Sequence, residues 1–186
     1  MNQKQTKYES PIRLAELKPV ETLRKIGLQD NHIVCDIGAG SGIFTIPAAN
    51  FTNNTVYALE INDEMLEIIQ RKAQSEGITN IKPIKVKNDH FDMEKDSVDI
   101  VLMVTVLHEI NNNSVILKEV NKILKDDGKF VIIEFHKRET PMGSPTAHRI
   151  DKIEVEVMLR NRDFTVLDNF DLGDNFYCLV CMKDKN

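Results

Sequence analysis

Two short runs of this chain, Ile100-Val-Leu-Met-Val104 and Phe130-Val-Ile-Ile133, are apolar at every position. A strand with one wet face alternates apolar and polar residues. A strand that is apolar throughout needs cover on both faces, which helices connecting parallel strands provide. Further strands are expected at residues 33–37, 56–59, 81–86 and 98–104, the last containing the first run. Segments of helical period fall between them, around 42–51, behind Asn62, and from Asn113 or Ser114 onward. The alternation predicts an α/β chain with a doubly wound, mostly parallel sheet.

Local signals mark the helix ends. Pro19 opens a short helix whose Leu23 and Ile26 share a face, and Gly27 closes it. Asn62 is a plausible N-cap, with Asp63 and Glu64 at the positive end of the helix dipole. Ile61 and Leu66 have the spacing of a hydrophobic staple, and Gly77 ends that helix. Ile116, Leu117, Val120, Ile123 and Leu124 form the stripe of the next helix, which Gly128 is expected to stop. The tail differs: a loop over 139–147, a polar-rich helix around 150–159, then strands at 164–167 and 176–182. Their link is too short for a helical crossover, so these two strands are expected to pair antiparallel. With 186 residues, one domain over 1–186 is expected, with 1–18 as an N-terminal segment or lid.

Charge and composition narrow the partners. Asp and Glu total 29 against 24 Lys and Arg, a net charge of −5 that argues against nucleic acid. The apolar stretch at 100–107 is too short for a membrane span, and residues 1–10 are unlike a signal peptide. The 3 cysteines do not make a disulfide scaffold, and a cytoplasmic setting is expected. Cys178 and Cys181 have C-x-x-C spacing, yet on a strand they point to opposite faces. Core packing is the expectation for them, and no metal centre is expected.

Open α/β sheets bind ligands at the carboxyl ends of their strands, beside the point where strand order reverses. Val34-Cys-Asp36-Ile-Gly38-Ala39-Gly40-Ser41-Gly42 puts a glycine loop there, where backbone can approach a ligand closely. Glu60 ends the next strand, and its carboxylate can accept from both hydroxyls of a ribose. A glycine loop with an acid about 20 residues on is the signature of an adenosine-ribose site. A dinucleotide would want a third glycine where Ile43 stands, and Asp36 would sit poorly beside a pyrophosphate. S-adenosylmethionine carries an ammonium, a sulfonium and no phosphate, and these residues favour it.

Asp36-Ile-Gly38-Ala-Gly40-Ser-Gly42, Ala58-Leu-Glu60, Asn88-Asp89, Asp99-Ile-Val-Leu and Leu124-Lys-Asp-Asp-Gly128-Lys-Phe130 resemble, in order, the motifs of class I S-adenosylmethionine-dependent methyltransferases. The resemblance runs over residues 17–182 and is closest to small bacterial relatives of the ubiquinone/menaquinone-type methyltransferases. It implies a Rossmann-like seven-stranded sheet with an antiparallel C-terminal strand, S-adenosylmethionine as cofactor and S-adenosylhomocysteine as product. It also implies roles. Asp36, Gly38, Ala39 and Gly40 would line the methionine end, and Glu60 would take the ribose. Ile61 and Met65 would pack on the adenine. Asp89 would accept from the adenine amine, with Asn88 and His90 alongside, and Thr105 would flank the sulfonium. Asn88 stands where the family commonly has glycine.

Family members that methylate planar bases or glutamine often carry an Asn/Asp-Pro-Pro-aromatic run after the fourth strand. Here that place holds Thr105-Val-Leu-His108-Glu109-Ile110, which disfavours that N-methylating subgroup, and the resemblance to quinone-type relatives implies a small-molecule acceptor methylated at oxygen or carbon. His108 is the candidate catalytic base, needed only if the acceptor is protonated; the alternative is that it caps the next helix. Glu134, His136, His148 and Arg149 are candidates for the acceptor pocket, Tyr8 and Arg13 for a lid. Two other functions stand beside the first: a cofactor-binding protein without transferase activity, and a protein-directed methyltransferase. A short-chain dehydrogenase is disfavoured, because none of Tyr8, Tyr57 or Tyr177 has Lys four residues on. Nothing in the sequence specifies an oligomeric state.

Overall fold

The computed structural model describes residues 9–87, 90–140 and 142–184. Its strands are β1 (Val34–Ile37), β2 (Val56–Glu60), β3 (Ile81–Lys85), β4 (Val98–Val104), β5 (Leu124–Phe135), β6 (Phe164–Leu172) and β7 (Phe176–Lys183). They form one seven-stranded sheet in the order β3-β2-β1-β4-β5-β7-β6. β1 pairs parallel with β2 and β4, β2 with β3, and β4 with β5. β7 runs antiparallel to both β5 and β6, as the short link between the last strands requires. The helices are α1 (Pro11–Leu17), α2 (Pro19–Lys25), α3 (Thr45–Phe51), α4 (Asp63–Glu76), α5 (Asn113–Ile123) and α6 (Lys152–Arg160).

The unbroken apolar runs serve two cores at once. Val101 and Met103 of β4 face α5 and α6, where Ile116, Val120, Val155 and Leu159 pack. Ile100, Leu102 and Val104 face the other way, onto Leu17, Leu23, Phe44 and Ala48. Cys178 belongs to one core and Cys181 to the other, and both are buried free thiols. At the lower end of β4, Asp99 accepts from the Ile33 amide at 2.8 Å and pairs with Lys125 at 2.7 Å, tying β1 to β5. No helix among the described residues is long and apolar enough to cross a membrane.

Helix ends follow the sequence signals in most places. Asn62 accepts from the Glu64 amide and Gly77 closes α4 in the left-handed region; such a cap contributes about 1 kcal/mol. Three expectations are corrected. The helix expected around 42–51 begins at Thr45, because Gly40 and Gly42 have φ of +53° and +83° and keep the chain in a turn. The staple does not close, since Ile61 is 72% exposed. Gly128 does not stop α5. The helix ends at Ile123, and Leu124 is extended and paired with Val98, so β5 runs through Gly128. A Cβ there would lie 2.7 Å from Leu124 Cδ1 and 3.0 Å from the Asp99 carbonyl oxygen, so a side chain would crowd the β4–β5 pairing.

Candidate functional site

Chain order reverses at β1: β2 and β3 extend the sheet to one side, β4 and β5 to the other. A cleft of about 430 Å³ opens there at the carboxyl ends of the strands, lined by the glycine loop, Glu60, Thr105 and Arg13 among others. The loop is folded back on β2, with the Gly38 and Ala39 amides both donating to the Leu59 carbonyl at 2.8 and 3.0 Å. Gly38 has φ +68°, and a Cβ on it would lie 2.3 Å from Cγ2 of Val106. Both its backbone and its bareness are therefore required.

Glu60 braces this loop. Its Oε2 accepts from the Gly40 amide at 2.9 Å, and its Oε1 accepts from Ile61 and Asn62 at 2.8 and 2.9 Å. An ionised carboxylate has about four acceptor sites, so three backbone bonds leave capacity for about one more donor. Asp36 is 2% exposed and accepts from the Thr45 hydroxyl at 2.6 Å. Burial pushes its pKa up to about 7, the Thr45 bond draws it down, and the Glu60 charge raises it again. Ser41 Oγ is buried in the cleft lining with no hydrogen-bond partner among the described residues. Ile61 and Met65 line the cleft on the α4 side, the first exposed and the second at 2% exposure.

Thr105 follows the end of β4 with φ +54°, a conformation that costs of order 1–3 kcal/mol for a β-branched residue. Two bonds hold it. Its amide donates to the Ile133 carbonyl at 2.7 Å, and its hydroxyl accepts from the Arg13 guanidinium at 2.7 Å. Arg13 comes from α1 and is buried, with its Cζ 5.7 and 5.5 Å from the ring centroids of Phe135 and Phe176.

His108 lies in a 3₁₀ turn (Leu107–Glu109) with its side chain buried behind the cleft wall. Its Nδ1 is 2.8 Å from Glu134 Oε2, and its backbone amide donates to Glu134 Oε1 at 3.3 Å. Val106, Glu109 and Ile110 line the cleft around it, and His108 does not. Burial draws the imidazole pKa down, but the hydrogen bond and charge of Glu134 outweigh this and leave it raised. The helix-cap alternative is corrected: Asn112 caps α5, accepting from the Val115 amide.

Asn88 and Asp89, like Tyr8, lie outside the described residues. His90 is exposed, 3.4 Å from Glu119, and is not in the cleft lining. Of the later candidates, Arg149 staples its own loop, donating to the carbonyls of Ser144, His136, Arg138 and Met142 and to the Thr140 hydroxyl. His136 lies 3.2 Å from Asp171. Thr45, Ser41 and Val106 escaped the sequence reading. Thr45 and Ser41 sit within ten residues of Asp36 and were findable as neighbours of the loop; Val106 over Gly38 had no local signal.

A family model described as "Methyltransferase domain" matches residues 28–172. "Uncharacterized methyltransferase YcgJ" of Bacillus subtilis (strain 168) is 24% identical over 66% of this chain and 48% of its own length. "Ubiquinone/menaquinone biosynthesis C-methyltransferase UbiE" of Marinomonas sp. (strain MWYL1) is 25% identical over 66% of this chain and 50% of its own. The chain thus spans about half the length of the curated relatives it matches. A solved structure titled as a SAM-dependent methyltransferase from Aquifex aeolicus aligns with a TM-score of 0.90 at 23% identity, covering 96% of both chains. With its strand order, its glycine loop and Glu60 in one cleft, and a family match over most of its length, this chain belongs to the methyltransferase-domain family.

Proposed function

We propose that the chain is an S-adenosylmethionine-dependent methyltransferase acting on a small-molecule acceptor, folded as one domain. The observation that carries this is the meeting of Asp36, Glu60 and the left-handed glycine loop in one cleft. The residues present fit the cofactor. Ser41 Oγ is a buried polar atom of the cleft lining with no hydrogen-bond partner among the described residues, and Glu60 keeps acceptor capacity beyond its three backbone bonds. Asp36, near its midpoint at neutral pH, would be driven to its ionised form by an ammonium group.

Bound S-adenosylmethionine supplies an electrophilic methyl group with its leaving group already in place. The chain's own residues bind and orient. Asp36 holds the ammonium end, and Gly38, Ala39 and Gly40 bring backbone close. Glu60 accepts from a ribose hydroxyl while keeping the loop in place. Ile61, exposed in this structure, and Met65 offer apolar surface to the adenine, with Asn88 and Asp89 assigned to its edge by the family resemblance, while His90 stands outside the cleft lining. Thr105 flanks the reacting centre. Orientation of this kind contributes on the order of 7–11 kcal/mol. His108 is assigned as the base if the acceptor needs one. It stands behind the wall, with Nε2 3.9 Å from Glu109 Oε1, so it would serve as a base only after turning toward the cleft. The three buried free cysteines suit a reducing, cytoplasmic compartment.

Calorimetric titration with S-adenosylhomocysteine, with NAD as control, tests the cofactor. Binding of the former alone is expected, followed by methyl transfer to members of a small-molecule panel. Binding of NAD, or of neither, overturns the reading. Binding without turnover on any acceptor, peptides included, leaves a cofactor-binding protein.

A further inference from the structure

The connection from β3 to β4 has no helix among its described residues, so its backbone groups must find partners elsewhere. Helix α5 supplies them. At the β4 end, the Asp96 and Ser97 amides donate to the Lys122 and Ile123 carbonyls, both at 2.9 Å. At the β3 end, Lys87 and His90 form an isolated antiparallel bridge, and Phe91 follows it. Both backbone groups of Phe91 are held by side chains one turn apart on α5. Its amide donates to Glu119 Oε2 at 2.9 Å, and its carbonyl accepts from Lys122 Nζ at 3.4 Å.

The connection is thus anchored to α5 twice, and the two anchors hold different things. The first fixes the entry to the sheet. The second fixes Phe91, which is 3% exposed and lines the cleft together with Val86 and Ile116. The Val86 amide donates to the Glu60 carbonyl at 3.0 Å, which ties this wall to the strand end that carries Glu60. Glu119 is not in the lining, and its side chain is only 13% exposed. A backbone amide bound to a carboxylate makes a charge-assisted bond, roughly twice as strong as a neutral one. Shielding from water strengthens it further.

We propose that Glu119 is the positioning residue for the base end of this cleft: through the Phe91 backbone it sets the wall against which a purine ring packs. The inference rests on reading the cleft as an S-adenosylmethionine site. A flat, broad ring gains most from a surface fixed before it arrives, because ordering that surface on binding costs affinity.

The test uses two probes. S-adenosylhomocysteine reports the whole cleft, and 5′-methylthioadenosine, which lacks the amino-acid end, reports the base and ribose end. Both are titrated calorimetrically into wild type, Glu119→Ala, Glu119→Gln and Lys118→Ala, an exposed neighbour on α5, with the weaker probe read by displacement. Glu119→Ala is expected to weaken both probes by the same factor, about tenfold, as the loss of one charge-assisted contact would. Glu119→Gln, whose side-chain oxygen can still accept from the Phe91 amide, is expected to recover most of that loss, and Lys118→Ala to show none. Unchanged affinity in Glu119→Ala overturns the proposal, as does a loss on S-adenosylhomocysteine that methylthioadenosine does not share. A Gln variant as weak as the Ala variant, an equal loss in Lys118→Ala, or failure of methylthioadenosine to displace S-adenosylhomocysteine from wild type also overturns it. Should the Ala variant not fold, Glu119→Asp, which withdraws the carboxylate by one methylene, takes its place; the same shared loss is expected, and no loss overturns the proposal. Failure of S-adenosylhomocysteine to bind wild type refutes the cofactor reading and this inference with it, whereas binding that Glu119→Ala leaves untouched refutes this inference alone.

Discussion

Gly38→Ala separates two demands that the glycine loop makes at one residue. The first is conformational: at φ +68° an L-residue is in the left-handed region, at roughly 1–2 kcal/mol. The second is steric: the new Cβ would lie 2.3 Å from Cγ2 and 3.0 Å from Cγ1 of Val106, an overpacking that adds about 1–3 kcal/mol. The substitution is therefore expected to destabilise by roughly 2–5 kcal/mol. In a Val106→Ala background both offending methyls are gone and the nearest remaining atom is Cβ at 3.2 Å. Only the conformational part should persist, about 1–2 kcal/mol. The assay is urea unfolding of the four proteins of the cycle, followed by far-UV circular dichroism, with the slope checked for constancy. A coupling of about 1–3 kcal/mol is expected between the two sites. If the Gly38→Ala effect is the same in both backgrounds, the close approach of the β4 loop to the glycine loop is refuted.

Glu60→Gln keeps the shape of the brace but can turn an amide donor toward the Gly40 amide; a loss of about 1–3 kcal/mol in stability, with weaker S-adenosylhomocysteine binding, is expected, and no change in either contradicts the brace. Asp36 has a folded pKa of about 7, above its ordinary 3.8, so the stability of its neutral form is present at low pH and lost as pH rises from about 4 through 7. Asp36→Asn should flatten that slope in urea midpoints, and wild-type S-adenosylhomocysteine affinity should rise over the same window; parallel pH profiles for the two proteins would sink the assignment. His108 is raised above 6.5 chiefly by its bond to Glu134, so the pair contributes fully below 6.5 and is lost as pH climbs through the raised value. Glu134→Gln should lower the imidazole pKa in an NMR titration, and an unshifted titration would mean the two side chains are not paired in solution.

Much of this molecule is encoded in patterns a few residues long. Unbroken apolarity in β4 and β5 announces strands covered on both faces, because each side of the strand must find its own core. Asn62 and Gly77 mark α4, because orphan amides and carbonyls at helix ends demand local partners. The meeting of the glycine loop with Glu60 is legible for the same reason: its geometry is set by backbone within one βαβ unit. Leu124 shows where such patterns fail. Its spacing fits the apolar stripe of a helix equally well as a strand, and only pairing with Val98 on β4 decides for the strand.

What the tertiary structure alone decides are meetings between residues far apart in sequence. Val106 presses on Gly38 because β4 returns beside β1. His108 turns from the cleft to Glu134 because β5 lies next to β4, on the side away from β1. Arg13 reaches Thr105 because α1 packs under the end of the sheet, 92 residues away along the chain. Charge follows the same rule. The local sequence marks the place of Asp36 but not its charge, and burial, which only the closed fold produces, raises its pKa to about 7.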